Sequence, residues 1–124
     1  MALNAWSDPL PPGRHHVEVD DVQEAKSKSS GQKMWRVRLK VLGGMDTLTD
    51  VIMHEGGGLK MGVAKLQALG VRKEMLPLEG HMLIGRRAYI NVTHELYQGE
   101  MQAKIVGPYE VDPEQQPIDW QPAF

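Results

Sequence analysis

The 124-residue chain contains no cysteine. That absence excludes disulfides, thiolate metal sites and cysteine nucleophiles together, and it fits a reducing compartment. Long hydrophobic runs are also missing: nothing approaches the roughly 20 apolar residues that span a bilayer. The N-terminus shows no charged region followed by a hydrophobic one, so neither membrane insertion nor secretion is expected and the reading is cytoplasmic. Aromatic residues make up only 6% of the chain, which limits any ligand site built on stacking. Basic residues are absent after Lys104. All 14 Lys and Arg lie before Pro108 against twelve acids there, a net +2, whereas Glu110, Asp112, Glu114 and Asp119 follow with no counter-charge, a net −4.

A hydrophobic fraction of 41% suffices for one core, and the length suits one domain. Residues 1–12 hold Trp6 and three prolines and read as a leader. Residues 13–109 form the domain, and 110–124 an acidic tail ending in Phe124.

The clearest pattern runs from Met34 to Val41. Trp35, Val37, Leu39 and Val41 alternate with Met34, Arg36, Arg38 and Lys40, so one face of a strand is apolar and the other cationic. Like charges along one face repel unless something negative lies beside them, and a phosphate chain is the natural candidate. A polar loop, Lys26 to Lys33, precedes this strand. Before it, Gly13 opens a strand with Val17, Val19 and Val22 on one side and His16, Glu18 and Asp20 on the other. After it, Leu42-Gly43-Gly44-Met45 signals a hairpin leading into a strand from Thr47 to Met53 of ambiguous register. Gly56, Gly57 and Gly58 then precede a helix whose Leu59, Val63, Leu66 and Leu69 fall on one side, with Gly70 as its C-terminal cap. A fourth strand, Arg86 to Glu95, puts Ala88, Ile90 and Val92 inward. Tyr97-Gln98-Gly99 turns into a fifth strand that Gly107-Pro108 ends.

Three strands, one helix and two strands is the order of a mainly β, five-stranded OB-fold-like barrel with its helix between strands three and four. An SH3-like barrel is the alternative. Several stretches carry a resemblance: Leu10-Pro11-Pro12-Gly13, Ser27-Lys28-Ser29-Ser30-Gly31, Leu39-Lys40-Val41-Leu42-Gly43-Gly44, Leu66-Gln67-Ala68-Leu69-Gly70 and Tyr97-Gln98-Gly99-Glu100. In their order they resemble a family of small phage and prophage proteins similar to single-stranded-DNA-binding OB domains. The resemblance implies a role beside phage or host replication and recombination proteins in a bacterial cell.

On the OB plan, ligands lie on strands two and three and against the loops joining strands one to two and four to five. The expected DNA-binding residues are therefore Lys26, Lys28, Lys33, Arg36, Arg38 and Lys40, with Arg87, Tyr89, Tyr97 and Lys104 from the last hairpin. Cations serve the phosphates and the two tyrosines the bases; Trp35 reads as core. In the tail, Asp119, Trp120 and Phe124 resemble the acidic, Phe-terminated tips with which single-stranded-DNA-binding proteins engage partners. Small OB domains often cover long strands by assembling, so a homo-oligomer is compatible with this reading. The second reading is an OB or SH3-like protein-interaction module without a physiological nucleic-acid ligand.

No enzyme, cofactor or metal is expected. His15 and His16 point to opposite strand faces, while His54, His81 and His94 lack metal-site spacing. The glycine run before the helix lacks the Gly-Lys-Ser/Thr ending of a phosphate loop.

Overall fold

The computed structural model describes residues 10–72, 75, 79–116 and 118. Five strands, β1 (Gly13–Lys26), β2 (Lys33–Val41), β3 (Thr47–Met53), β4 (Arg87–Tyr97) and β5 (Glu100–Val111), form one antiparallel sheet in the order β3-β2-β1-β4-β5. Among the described residues the single α-helix, α1 (Leu59–Ala68), lies between β3 and β4 in the chain. No helix among the described residues is long and apolar enough to cross a membrane.

β1 organises the sheet because it is shared. Gly13 to Glu18 pairs with β4 and Val17 to Lys26 with β2. The β1–β2 register shifts between Val19 and Asp21, leaving Asp20 as an extra residue. A bulge of this kind reverses the alternation, and this explains how Val17, Val19 and Val22 all turn toward the core despite their uneven spacing. The pattern in β2 is as its sequence reads, with Trp35, Val37 and Leu39 buried and Arg36, Arg38 and Lys40 exposed. Met34, expected on the exposed side, is buried at 9% exposure.

The register of β3 resolves with Leu48 and Ile52 toward the core, which puts Asp50 on the core side too. A charged residue there is what blurred the apolar alternation. α1 buries Gly62, Leu66 and Ala68, followed by Leu69, whereas Leu59 is 40% exposed and not part of the expected stripe. Gly62 is the point of closest approach: a Cβ there would overlap the Met53 carbonyl of β3. Helix and strand thus pack backbone to backbone, which only glycine allows.

The expected barrel is not closed by hydrogen bonds, since the sheet ends at β3 and β5. Gly107-Pro108 does not end β5 either. The strand continues to Val111, two residues past the boundary read at 109, with two extra residues accommodated where its register against β4 shifts. Pro108 has no N–H to offer a neighbouring strand, and the residue after it reaches β3 by its side chain instead. The Tyr109 hydroxyl donates to Asp50 Oδ2, and Lys65 Nζ of α1 lies 3.0 Å from the same oxygen.

Candidate nucleic-acid interface

The cationic face of β2 lies beside an acidic stretch of β1. Lys40 Nζ is 3.0 Å from Glu18 Oε2, and Arg87 Nε of β4 is 3.2 Å from the other oxygen of the same carboxylate. Arg38 Nε donates to Asp20 Oδ2 at 2.8 Å. The ammonium of Lys40, then the guanidinium of Arg87, hold the Glu18 carboxyl below its usual range although its partial burial opposes them. Three of the expected phosphate contacts, Arg38, Lys40 and Arg87, are therefore already paired with acids. Lys104 likewise meets Glu95 at 3.5 Å.

The end of the β1–β2 hairpin differs. Lys26 and Lys33 stand directly opposite each other in the register, Lys28 sits in the turn between them, and Arg36 faces Gln23. All four are exposed, and among the described residues their side chains make no ion pair. Alternation puts Lys33 on the Trp35 side of the ribbon and Arg36 on the other, so these cations surround the hairpin end rather than lining one face. Arg36 and Arg38 also border an open pocket of about 200 Å³ with Asp21, Gln23 and Thr49. The turn is held by Ser27 N–H to Gln32 O at 2.9 Å and Gly31 N–H to Ser27 O at 2.8 Å. The Lys33 N–H donates to Glu55 Oε1 at 2.6 Å, tying the hairpin end to the residue before the glycine run.

The two stacking candidates part company. Tyr89 is occupied: the His16 ring stacks on it at 4.4 Å and the Arg14 guanidinium lies 3.9 Å from its centroid. Tyr97, 55% exposed, stands at the tip of the β4–β5 hairpin, whose turn residues Gln98 and Gly99 both have positive φ. That tip extends past Val92, the partner of Gly13, whereas Lys28 lies past Lys26. Tyr97 and Lys104 therefore leave the sheet at the opposite end of β1 from the unpaired cations, and the register does not gather them into one row. Trp35 is 2% exposed as core, stacked on His54 and donating from Nε1 to Glu24.

Two arrangements were not visible in the sequence. The first is Tyr109, Asp50 and Lys65, where Lys65 also donates to the Val51 carbonyl at 2.8 Å. Burial first, then the adjacent Asp50 charge, push the Tyr109 phenol far above its ordinary pKa. The second is the start of the acidic stretch. Asp112 is 4% exposed and lies 2.7 Å from His16 Nε2; the Glu114 N–H, then His16, keep its carboxyl below the usual range. Gln115 makes two hydrogen bonds to the Arg87 backbone, and Arg86 donates to the Gln116 and Leu69 carbonyls. With Glu110 bound to Asn91 and Arg14, residues 110–116 pack on the body instead of leaving it as a tail. Asp119, Trp120 and Phe124 lie outside the described residues.

The histidines are placed separately: His15 on the Pro11 carbonyl, His94 on that of Leu10, and His81 beside Glu79. Among the described residues no three His, Asp or Glu side chains are grouped to hold a metal ion. No family model matches the chain, and no curated protein matches it.

Proposed function

We propose that this protein binds single-stranded nucleic acid, DNA in the first instance, by the end of its β1–β2 hairpin. The supporting observation is the cross-strand pair Lys26 and Lys33. Like charges directly opposite each other destabilise a ladder. Although the Lys33 backbone N–H holds the Glu55 carboxylate, neither ammonium makes an ion pair among the described residues, nor do the side chains of Lys28 in the turn and Arg36 on the other face. A polyanion relieves that repulsion. The strand order, the long first strand shared between two neighbours and the helix after strand three support an OB-type reading of the fold. A role in phage replication or recombination follows from the resemblance of the sequence, and partner recruitment is assigned to Asp119, Trp120 and Phe124.

The test is fluorescence anisotropy of a labelled oligo-dT, beside its duplex, over a salt series. Four phosphate contacts give a slope of log affinity against log salt of about −3 on single strands. Lys28→Ala and Arg36→Ala each make the slope shallower by about 0.7, while Lys40→Ala, already paired, changes it little. Asp20→Asn frees Arg38 and steepens it. Absence of binding at low salt, or equal losses for Lys28→Ala and Lys40→Ala, would overturn the reading. One observation favours the second reading, a protein-interaction module: Glu18 and Asp20 neutralise most of the β2 face, as a mixed-charge protein interface does.

A further inference from the structure

β5 ends the sheet, and its first half leaves a row of backbone groups open. Tyr97 and Glu100 close a two-residue turn, so they form a hydrogen-bonded pair, as do Glu95 with Gln102 and Thr93 with Lys104. The N–H and C=O groups of Met101, Ala103 and Ile105 therefore point away from β4. Among the described residues no hydrogen bond reaches them. On the core side of this ribbon, Leu96 and its partner Met101 are 68% and 49% exposed. The pairable stretch stops at Val106, because Gly107 and Pro108 interrupt it.

We infer that this edge pairs with the same edge of a second copy, β5 against β5 about a two-fold axis at Gln102. In an antiparallel pair of identical strands, only registers that bring outward-pointing groups together are allowed. Charge selects among them. Centring on Gln102 sets Glu100 opposite Lys104 of the second copy, twice; centring on Ala103 sets Lys104 against Gln102, and centring on Lys104 sets it against itself. The Gln102 register makes Met101 and Ala103 the hydrogen-bonded pair. Glu100 with Lys104, and Gln102 with itself, are then non-hydrogen-bonded pairs, where Cα atoms approach to about 4.5 Å and side chains interact best. Met101 gains an apolar neighbour in the second copy's Ala103. Lys104, at 3.5 Å from Glu95 and half exposed, needs only a small swing to reach across.

The proposal does not depend on nucleic-acid binding. Its test is light scattering of the full chain over a dilution series, with the charge variants Lys104→Glu, Glu100→Lys and their combination. Dimers are expected, with each single reversal weakening association about tenfold and the double reversal restoring it. Because the chain has no cysteine, Gln102→Cys places one thiol opposite its own copy at a separation a disulfide spans, and mild oxidation gives a covalent dimer. Val106→Cys, exposed on the same edge but opposite Gln98 in this register, does not. Both are surface positions, and circular dichroism verifies the fold of every variant. A monomer at all concentrations, a dimer indifferent to charge reversal, or equal cross-linking at 102 and 106 would overturn the inference.

Discussion

Gly62→Ala pits two effects of opposite sign against each other. In an unobstructed helix, alanine gains about 1 kcal/mol over glycine. Here the added methyl overlaps the Met53 carbonyl oxygen and lies 2.9 Å from its carbonyl carbon and 3.3 Å from its nitrogen, where real Cβ atoms essentially never come within 3.0 Å. The obstruction is backbone held in a β2–β3 ladder, with Met53 opposite Met34, so no side chain can swing aside. Relief requires α1 to retreat from β3. That loosens Leu66 and Leu69, at 2% and 0% exposure, and pulls Lys65 from the Val51 carbonyl and Asp50. Overpacking costs about 1–3 kcal/mol, and losing a charged hydrogen bond adds about 1.5–3 kcal/mol. After subtracting the propensity gain, the variant is expected to be about 3 kcal/mol less stable. In urea, with a slope of about 2 kcal/mol/M, the midpoint falls by about 1.5 M. Ala64→Gly, on the exposed side of the same helix, is the control and should cost about 1 kcal/mol. If Gly62→Ala proved more stable than the natural chain, α1 would not be packed on β3 by close backbone approach.

Tyr109→Phe should destabilise by about 1.5–3 kcal/mol, because it removes a buried hydrogen bond to a carboxylate, and the loss is read by the same urea titration. The raised phenol pKa gives this bond a pH signature. Its stabilisation is complete below the ordinary value of about 10 and declines as pH rises above it, so the difference between natural chain and variant should narrow in alkali. Asp112 has the opposite sign. Its lowered carboxyl stabilises the fold above the ordinary value of about 4 and ceases to as pH falls through the folded value. Asp112→Asn should therefore be less stable at neutral pH with a shallower acid limb, and an unchanged limb would mean that the 110–116 stretch is not held through Asp112.

The chain order of strands and helix and the burial of Trp35 could be read from apolar spacing, whose period differs between helix and strand, and the two hairpins from their Gly43-Gly44 and Gln98-Gly99 turns. Side-chain partners could not, because they depend on register. Arg36, Arg38 and Lys40 look alike in sequence, yet only the pairing of β2 with β1 decides that Glu18 and Asp20 meet two of them and Gln23 the third. Asp50 obscured β3 since its partners, Tyr109 and Lys65, lie 59 and 15 residues away. Gly107-Pro108 looked like a strand end; a bulge uses the same residues to keep the strand going while denying its outer edge. The docking of 112–116 left no periodic signal at all, as it rests on single polar contacts to Arg86, Arg87 and His16.

The bulge at Asp20 links these local facts to the candidate site. Without the extra residue, the inward alternation set by Val17 and Val19 would continue through Asp21 and Gln23, burying polar groups and exposing Val22. With it, Val22 returns to the core opposite Val37, and Asp20 and Asp21 both fall on the outer side beside Arg38. One inserted residue thus concentrates acid at a single point along β2. On the far side of that point the cross-strand partners of Arg36 are Gln23 and Val51, both uncharged, with Asp21 only sharing its pocket, and the ladder then runs out into Lys26 and Lys33. The boundary between neutralised and unpaired cations therefore falls at the bulge, so the device that rescues the core alternation of β1 also divides the cationic strand. Half of it is tied into the protein's own surface, and half is left with charge available to an anion.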